Sequence, residues 1–405
     1  MVTVTDGREG TAWRRPEFLL LVLAAAMPLA SSIWMAMLSN FASERAAFDG
    51  AAIGVLHSVR EIPGLLAFSF VALLFVFREQ IIAYLSLILL GLGVFATGWF
   101  PSYMGLLATT LVLSVGFHYY ETASQSLALQ WTSRERAPLL LGRILSVMGI
   151  GSIVAFGLGW LALRFLGADM ETVFAAGGLA TVAVAIAAWI AFPKYEGAVR
   201  QRRGMVLRRR YWLYYALTFM TGARRQIFVV FATFLLVQKF GLSVDWMVLL
   251  FFVNQMLYSF VAPRIGRFVA RVGERRSLTF EYCGVIGIFV GYAFVDNVWI
   301  AAGLYVLDQM FFGMALAIRT YFQKIADPAD IAPSSGVSLS ISHIAAVFIP
   351  VLYGILWLWS PEFVFLSGAV LAAVSLVLAR MVPLDPGKGG ETVPLFGPAA
   401  APVPA

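Results

Sequence analysis

PKYEGAVRQRRGMVLRRRYW, residues 193–212, is the longest polar connection between apolar stretches in this chain, and Lys194, Arg200, Arg202, Arg203, Arg208, Arg209 and Arg210 make it strongly basic. Its surroundings are the opposite. Hydrophobic residues make up 60% of the 405-residue chain, charged residues only 13%, and the mean hydropathy is +0.84. So little polar surface could not cover a soluble domain, which makes the chain a polytopic membrane protein. Such a basic stretch could meet nucleic acid or anionic lipid, but the simpler reading is a linker at the lipid surface that sets topology. No nucleic-acid partner is expected.

Outward from the linker, apolar runs of about 20 residues, enough to cross a ~30 Å hydrocarbon core, recur with polar punctuation. They fall at 18–40, 51–77, 81–100, 103–130, 139–166 and 172–192 before the linker, and at 211–239, 244–265, 278–295, 298–322, 334–359 and 363–382 after it. The spacing predicts twelve spans. No small-residue cleavage site follows a short apolar core at the N-terminus, so the first span is expected to stay in the mature chain. Cys283 is the single cysteine, which excludes an internal disulfide and any cysteine-based metal or redox centre. No cofactor is expected.

Lysine and arginine accumulate in cytoplasmic segments. Arg8, Arg14 and Arg15 precede the first span, most other basic residues follow even-numbered spans, and only Arg45 and Lys239 fall on the opposite side. Both termini are therefore expected in the cytoplasm. The halves flanking the linker also resemble each other: one offset of 194 positions brings Gly142 onto Gly336, Leu113–Ser114 onto Leu307–Asp308, and Arg60–Glu61 onto Asn254–Gln255.

Twelve spans in two parallel six-span repeats, a basic central linker and both termini inside resemble the major facilitator superfamily. GRFVARVGERR, residues 266–276, is similar to that family's loop signature, with Gly266, Arg271 and Gly273 in place but Ala270 where an aspartate belongs. The matching turn of the first half, FVFREQI, lacks the glycines. The resemblance implies an all-α membrane fold of two pseudo-symmetric six-helix bundles: 1–192, a cytoplasmic linker at 193–210, a second bundle at 211–385, and a disordered Pro/Gly-rich cytoplasmic tail at 386–405. It further implies a cavity lined by spans one, four, seven and ten, with three, six, nine and twelve facing lipid, and gating by the loop residues Gly266, Arg271 and Gly273.

Polar residues inside the spans give an independent view. Ser114, His118, Glu121 and Gln125 share one face of span four, and the equivalent positions of span ten are Asp308, Phe312, Ala315 and Arg319. In span two, HSVREIPG places His57 and Glu61 one turn apart beside Arg60, and Pro63 frees the carbonyl of Val59. At about 1.5 Å per residue Arg60 lies roughly 14 Å deep, and Arg224 in span seven reaches a similar level. A guanidinium at that depth costs several kcal/mol unless something answers it.

Arg224 and Arg225 are adjacent, so they point about 100° apart and cannot both face a cavity centre; one is expected to bind substrate and the other a carboxylate. Glu61, Glu121 and Asp308 are the internal carboxylates counted for that role. Arg60, Arg143, Arg224, Arg225 and Arg319 outnumber them, which favours an anionic substrate, because a guanidinium fork matches carboxylate or phosphate in shape and charge. Plainer readings compete. Arg143 and Arg319 can snorkel to the cytoplasmic surface, and Arg60–Glu61 can be an interhelical strut. His57, His118 and His343 lie on three helices without paired ligand spacing, so no metal site is expected. The serines of SSGVSLSISH, 334–343, permit close helix packing.

The expected function is secondary transport of a small anionic solute by alternating access. Arg60, Arg224, Arg225, His118, Asn254, Gln255 and Asp308 are the candidate binding residues, and Glu61, Glu121 and Asp308 the candidate proton carriers. A multidrug or amphiphile efflux pump is the first alternative, although span one carries no acidic residue. A membrane receptor or assembly factor that moves nothing is the second. No nucleophile, base and orienting group coincide, so no enzyme is expected. The setting would be a bacterial inner membrane, the partners lipid and substrate, the chain a monomer.

Overall fold

A computed structural model of the chain describes residues 2–3, 14–66, 69–132, 136–196, 207–327, 330–387 and 389–395. Arg8, Arg200, Arg202 and Arg203, and tail residues 396–405, lie outside them. Among the described residues, regular structure is helical apart from a two-residue parallel pairing of Val2–Thr3 with Tyr195–Glu196.

The first half supplies α1 (Pro16–Ala46), α2 (Gly50–Leu65), α3 (Glu79–Thr97), α4 (Tyr103–Trp131), α5 (Ala137–Phe165) and α6 (Met170–Ala191). After the linker, α7 runs as Trp212–Ile227, a π turn at Phe228–Ala232, and Thr233–Gln238. Then come α8 (Val244–Val272) and α9 (Glu274–Phe294). Next, α10 runs as Val298–Phe312, a 3₁₀ turn at Gly313–Ala315, and Leu316–Ile325. Last are α11 (Ile331–Trp359) and α12 (Pro361–Arg380). Helix starts follow local chemistry. Ser102, Asp169, Asn297 and Ser360 each accept a backbone N–H of the first turn with their side chains, satisfying a donor that has no intrahelical partner.

Ten of these helices are long and apolar enough to cross a membrane. The other two are α2 and α4, which the sequence also reads as spans. Helix α4 has the length, 29 residues, but His118, Glu121 and Gln125 dilute its hydropathy. Helix α2 stops at Leu65, and a single turn, Phe70–Leu73, follows, so the apolar run of 51–77 is not one continuous helix. Pro63 and Gly64 close α2: proline cannot donate, and glycine is the poorest non-proline helix former.

The contacts of the chain divide it into two units. One comprises Met1–Phe48, Val59–Arg202 and Ser243–Gln255; the other Asp49–Ser58, Arg203–Leu242 and Met256–Ala405. In the first, α1 packs along α5 and α6, and α3 along α4 and α6. In the second, α7 packs along α11 and α12, and α9 along α10 and α12. The same pairings therefore recur at the 194-residue offset, and α5 and α11 correspond end for end. The second unit is pinned at its basic end by buried Tyr211, Tyr214, Tyr282, Tyr321 and Phe322, with Tyr214 and Phe322 stacked at 4.0 Å.

Candidate functional site

Arg224 and Arg225 occupy the last α-helical turn of α7 before the π turn, and the N–H of Phe228 bonds to the carbonyls of both. Their side chains separate as the helical rotation requires. Arg224 is 5% exposed. Its guanidinium stacks 4.4 Å above the Tyr282 ring, donates to Thr221 Oγ1 at 3.3 Å, and lies 3.5 Å from Glu281 Oε1. Arg225 is exposed, and its guanidinium lies 4.2 Å from the centre of the Phe312 ring. Asp308 is buried on α10. Thr221, Arg224, Arg225, Glu281, Asp308 and Phe312 border one cavity of about 10 Å³, room for one water molecule.

Glu281 is the residue that the sequence reading missed. It sits three positions into span nine, a helix that the family resemblance places against lipid. One face of α9 does expose Phe280, Cys283, Val290 and Phe294, while Ser277, Glu281, Val285, Ile288 and Tyr292 are buried. That buried series has spacings of four, four, three and four. Helical periodicity therefore marks Glu281 as inward-facing, and this was the available signal.

The first unit has its own polar cluster. Arg60 and Glu61 pair at 2.5 Å with both side chains largely buried, and Arg60 Nη1 donates to Met35 Sδ at 3.4 Å. The hydroxyl of Ser114 donates to the carbonyl of Arg60, one residue beyond the carbonyl that Pro63 was expected to free. One carboxylate oxygen of Glu61 lies within 4.8 Å of a His118 ring nitrogen, and His118 Nδ1 is 3.8 Å from Glu121 Oε2. The α4 stripe grades from buried Ser114 and His118 through half-exposed Glu121 to exposed Gln125.

The remaining expected residues are more scattered. Asn254 is buried and Gln255 half-buried on α8, while Arg143 and Arg319 are exposed. Gly266 lies within α8 rather than in a loop. Gly273 alone connects α8 to α9, at φ +82°, a conformation favoured only for glycine. Arg271 is exposed, and Glu274, which follows the glycine, is buried and paired with Lys324 of α10 at 2.9 Å.

No curated protein matches the sequence. Among solved structures, an aspartate-to-alanine variant of the nucleoside transporter NupG is similar at 16% identity with a TM-score of 0.74, over 90% of this chain and 99% of its own. A bacterial homologue of the human lysosomal transporter Spinster, in its inward-facing and occupied conformation, is similar at 13% identity with a TM-score of 0.70, over 96% of this chain and 100% of its own. These likenesses concern the fold. The model of the Major Facilitator Superfamily matches residues 18–350; with an all-helical multi-pass architecture, the chain belongs to that superfamily of membrane transporters.

Proposed function

We propose that this chain is a secondary transporter for a small anionic solute, working by alternating access and coupled to protons. The observation that carries the reading is the division of labour on α7. Arg224 is buried and engaged with Glu281 and Tyr282, whereas its neighbour Arg225 is exposed beside the same cavity. Arg225 is the substrate-binding arginine in this reading, and Arg224 the structural one. Arg60, His118, Asn254, Gln255 and Asp308 complete the binding residues, with gating at Gly266, Arg271 and Gly273. The bundles are 1–192 and 211–385, joined by 193–210 and followed by the tail 386–405, in a monomer with both termini in the cytoplasm of a bacterial inner membrane.

Protons enter through the charge count. Arg143 and Arg319 are exposed and drop out of it, which in the second unit leaves Arg224 and Arg225 against Glu281 and Asp308 around one cavity. An anion entering that set meets no excess of positive charge unless a carboxyl is protonated. Proton uptake with the anion restores the balance, and Glu61, Glu121 and Asp308 are the carriers in this reading.

Counterflow of labelled di- and tricarboxylates, phosphate esters, nucleosides and lipophilic cations into proteoliposomes tests this reading. Saturable uptake of one of the anions, stimulated by an inwardly directed proton gradient, is the expected result. Uptake of nucleosides or lipophilic cations alone would replace it, and no uptake of any solute would favour a receptor or assembly role.

A further inference from the structure

Glu281 is 1% exposed and held by one long ion pair. At 3.5 Å the Arg224–Glu281 separation exceeds the 2.7–2.9 Å of a well-formed charge-assisted hydrogen bond. Its second oxygen, Oε2, is sealed from solvent with no hydrogen-bond donor among the described residues, and the same is true of Arg224 Nε and the Tyr282 hydroxyl as regards their partners. A buried polar network left part-satisfied is unusual, and each orphaned group calls for an explanation. The one-water cavity that Glu281 and Arg224 border also touches Asp308 and Arg225.

From this geometry we propose that Glu281 is a proton-binding site of the transport cycle. A hydronium formed at the cavity water gives up one proton, an O–H bond forms on Oε2, and a neutral water remains. The protonated oxygen becomes a donor, and a water in the adjoining cavity can accept from it. Around the cavity, Arg224 and Arg225 carry positive charge and Glu281 and Asp308 negative charge. With both carboxylates ionised this set is neutral; with Glu281 protonated it holds one excess positive charge and accepts one negative charge of substrate. Proton and anion therefore enter together and leave together, which is symport.

The other groups facing Glu281 leave this balance unchanged. Tyr282 and Thr221 are neutral hydroxyls, Tyr305 of α10 lies on the Asp308 side, and α12 presents Phe365 and the backbone of Gly368 to Tyr292 and Phe289 of α9. The site lies on a helix that the family resemblance places against lipid, so it is additional to the carriers expected from sequence. It rests on the anion-symport reading only for its role in the cycle; the protonation itself is measurable without substrate.

The experiment is attenuated-total-reflection infrared difference spectroscopy on the full chain in phosphatidylcholine liposomes, stepping buffer pH with no organic anion present. Wild type should show the carbonyl band of a protonated buried carboxyl that moves on deuteration. Glu281→Gln should lose it, Asp308→Asn should keep it, and Arg224→Gln should hold the proton to higher pH, because the opposing cation is gone. Absence of the band in wild type, its persistence in Glu281→Gln, or its loss in Asp308→Asn alone overturns the proposal. If Glu281→Gln does not fold, Glu281→Asp moves the carboxyl back by one methylene, and an unshifted band is then the overturning result. Failure of anion counterflow with this band intact would sink the transport reading and leave the proton site standing.

Discussion

Adjacent positions on a helix point about 100° apart, and on α7 this sends one guanidinium inward to Glu281 and Tyr282 and leaves the next exposed beside Phe312. Lysine substitution separates the two roles because it keeps the charge and removes the planar fork. Arg224→Lys should lower the melting temperature in detergent, since a desolvated cation–π contact contributes about 2 kcal/mol and an ammonium cannot stack on Tyr282 in the same way. Arg225→Lys should melt like wild type but lose most of the thermal shift given by whichever anion counterflow identifies. Normal melting in the first variant and a normal ligand shift in the second would remove both assignments. The sequence revealed that the arginines must differ but not which faces inward, because that depends on the partner. Glu281 is absent from the carboxylates read from sequence, although the period of α9 places it among buried residues.

Spans were legible from hydropathy because lipid and protein core both demand apolar side chains, and for the same reason their breaks were not. Nothing in an apolar run distinguishes the π turn at Phe228–Ala232 or the 3₁₀ turn at Gly313–Ala315 from continuous α-helix. Close approaches between helices are likewise set by packing partners. At Gly116 of α4 an added Cβ would lie 2.4 Å from the backbone nitrogen of Leu90 and 2.5 Å from the carbonyl oxygen of Ser86 on α3, whereas at Gly142 nothing lies within 4 Å. Gly116→Ala should therefore destabilise by about 1–3 kcal/mol through overpacking and Gly142→Ala should not; equal melting temperatures for the two would show that α3 and α4 do not approach this closely. The entry to α11 responds to pH instead. Both Asp330 oxygens receive the Arg208 guanidinium, at 2.5 and 2.9 Å, and Tyr211 donates a further bond, which holds this carboxyl below the usual aspartate range. A carboxyl with a lowered folded-state pKa stabilises the fold above its unfolded pKa, and that stability is lost as pH falls through the folded value. Wild type should thus lose melting temperature on acidification with a steeper slope than Asp330→Asn, measured side by side; identical slopes would show that the pair contributes nothing.

Over the whole chain, two sequence signals agree: the 194-residue repeat and the asymmetry of lysine and arginine. The repeat has a physical counterpart in helix pairing, since α1–α5, α1–α6, α3–α4 and α3–α6 recur as α7–α11, α7–α12, α9–α10 and α9–α12. Topology is the consequence that can be tested, and α2 is where it is most exposed to failure. Its 16 residues rise only about 24 Å, less than a ~30 Å hydrocarbon core, so the short turn at Phe70–Leu73 must complete the crossing. Cys283 is the one native thiol and is exposed, so Cys283→Ala provides the background for single cysteines at Gly7, Pro101 and Gly390. If every helix from α1 to α12 crosses, an impermeant thiol reagent added outside intact cells should label Pro101→Cys alone, and Gly7→Cys and Gly390→Cys should react only after the membrane is opened. A non-crossing α2 would reverse the side of Pro101 relative to Gly7, because three crossings would become two. Labelling of Gly7 and Pro101 from the same side would therefore disprove the twelve-span arrangement at its weakest helix, whatever the substrate proves to be.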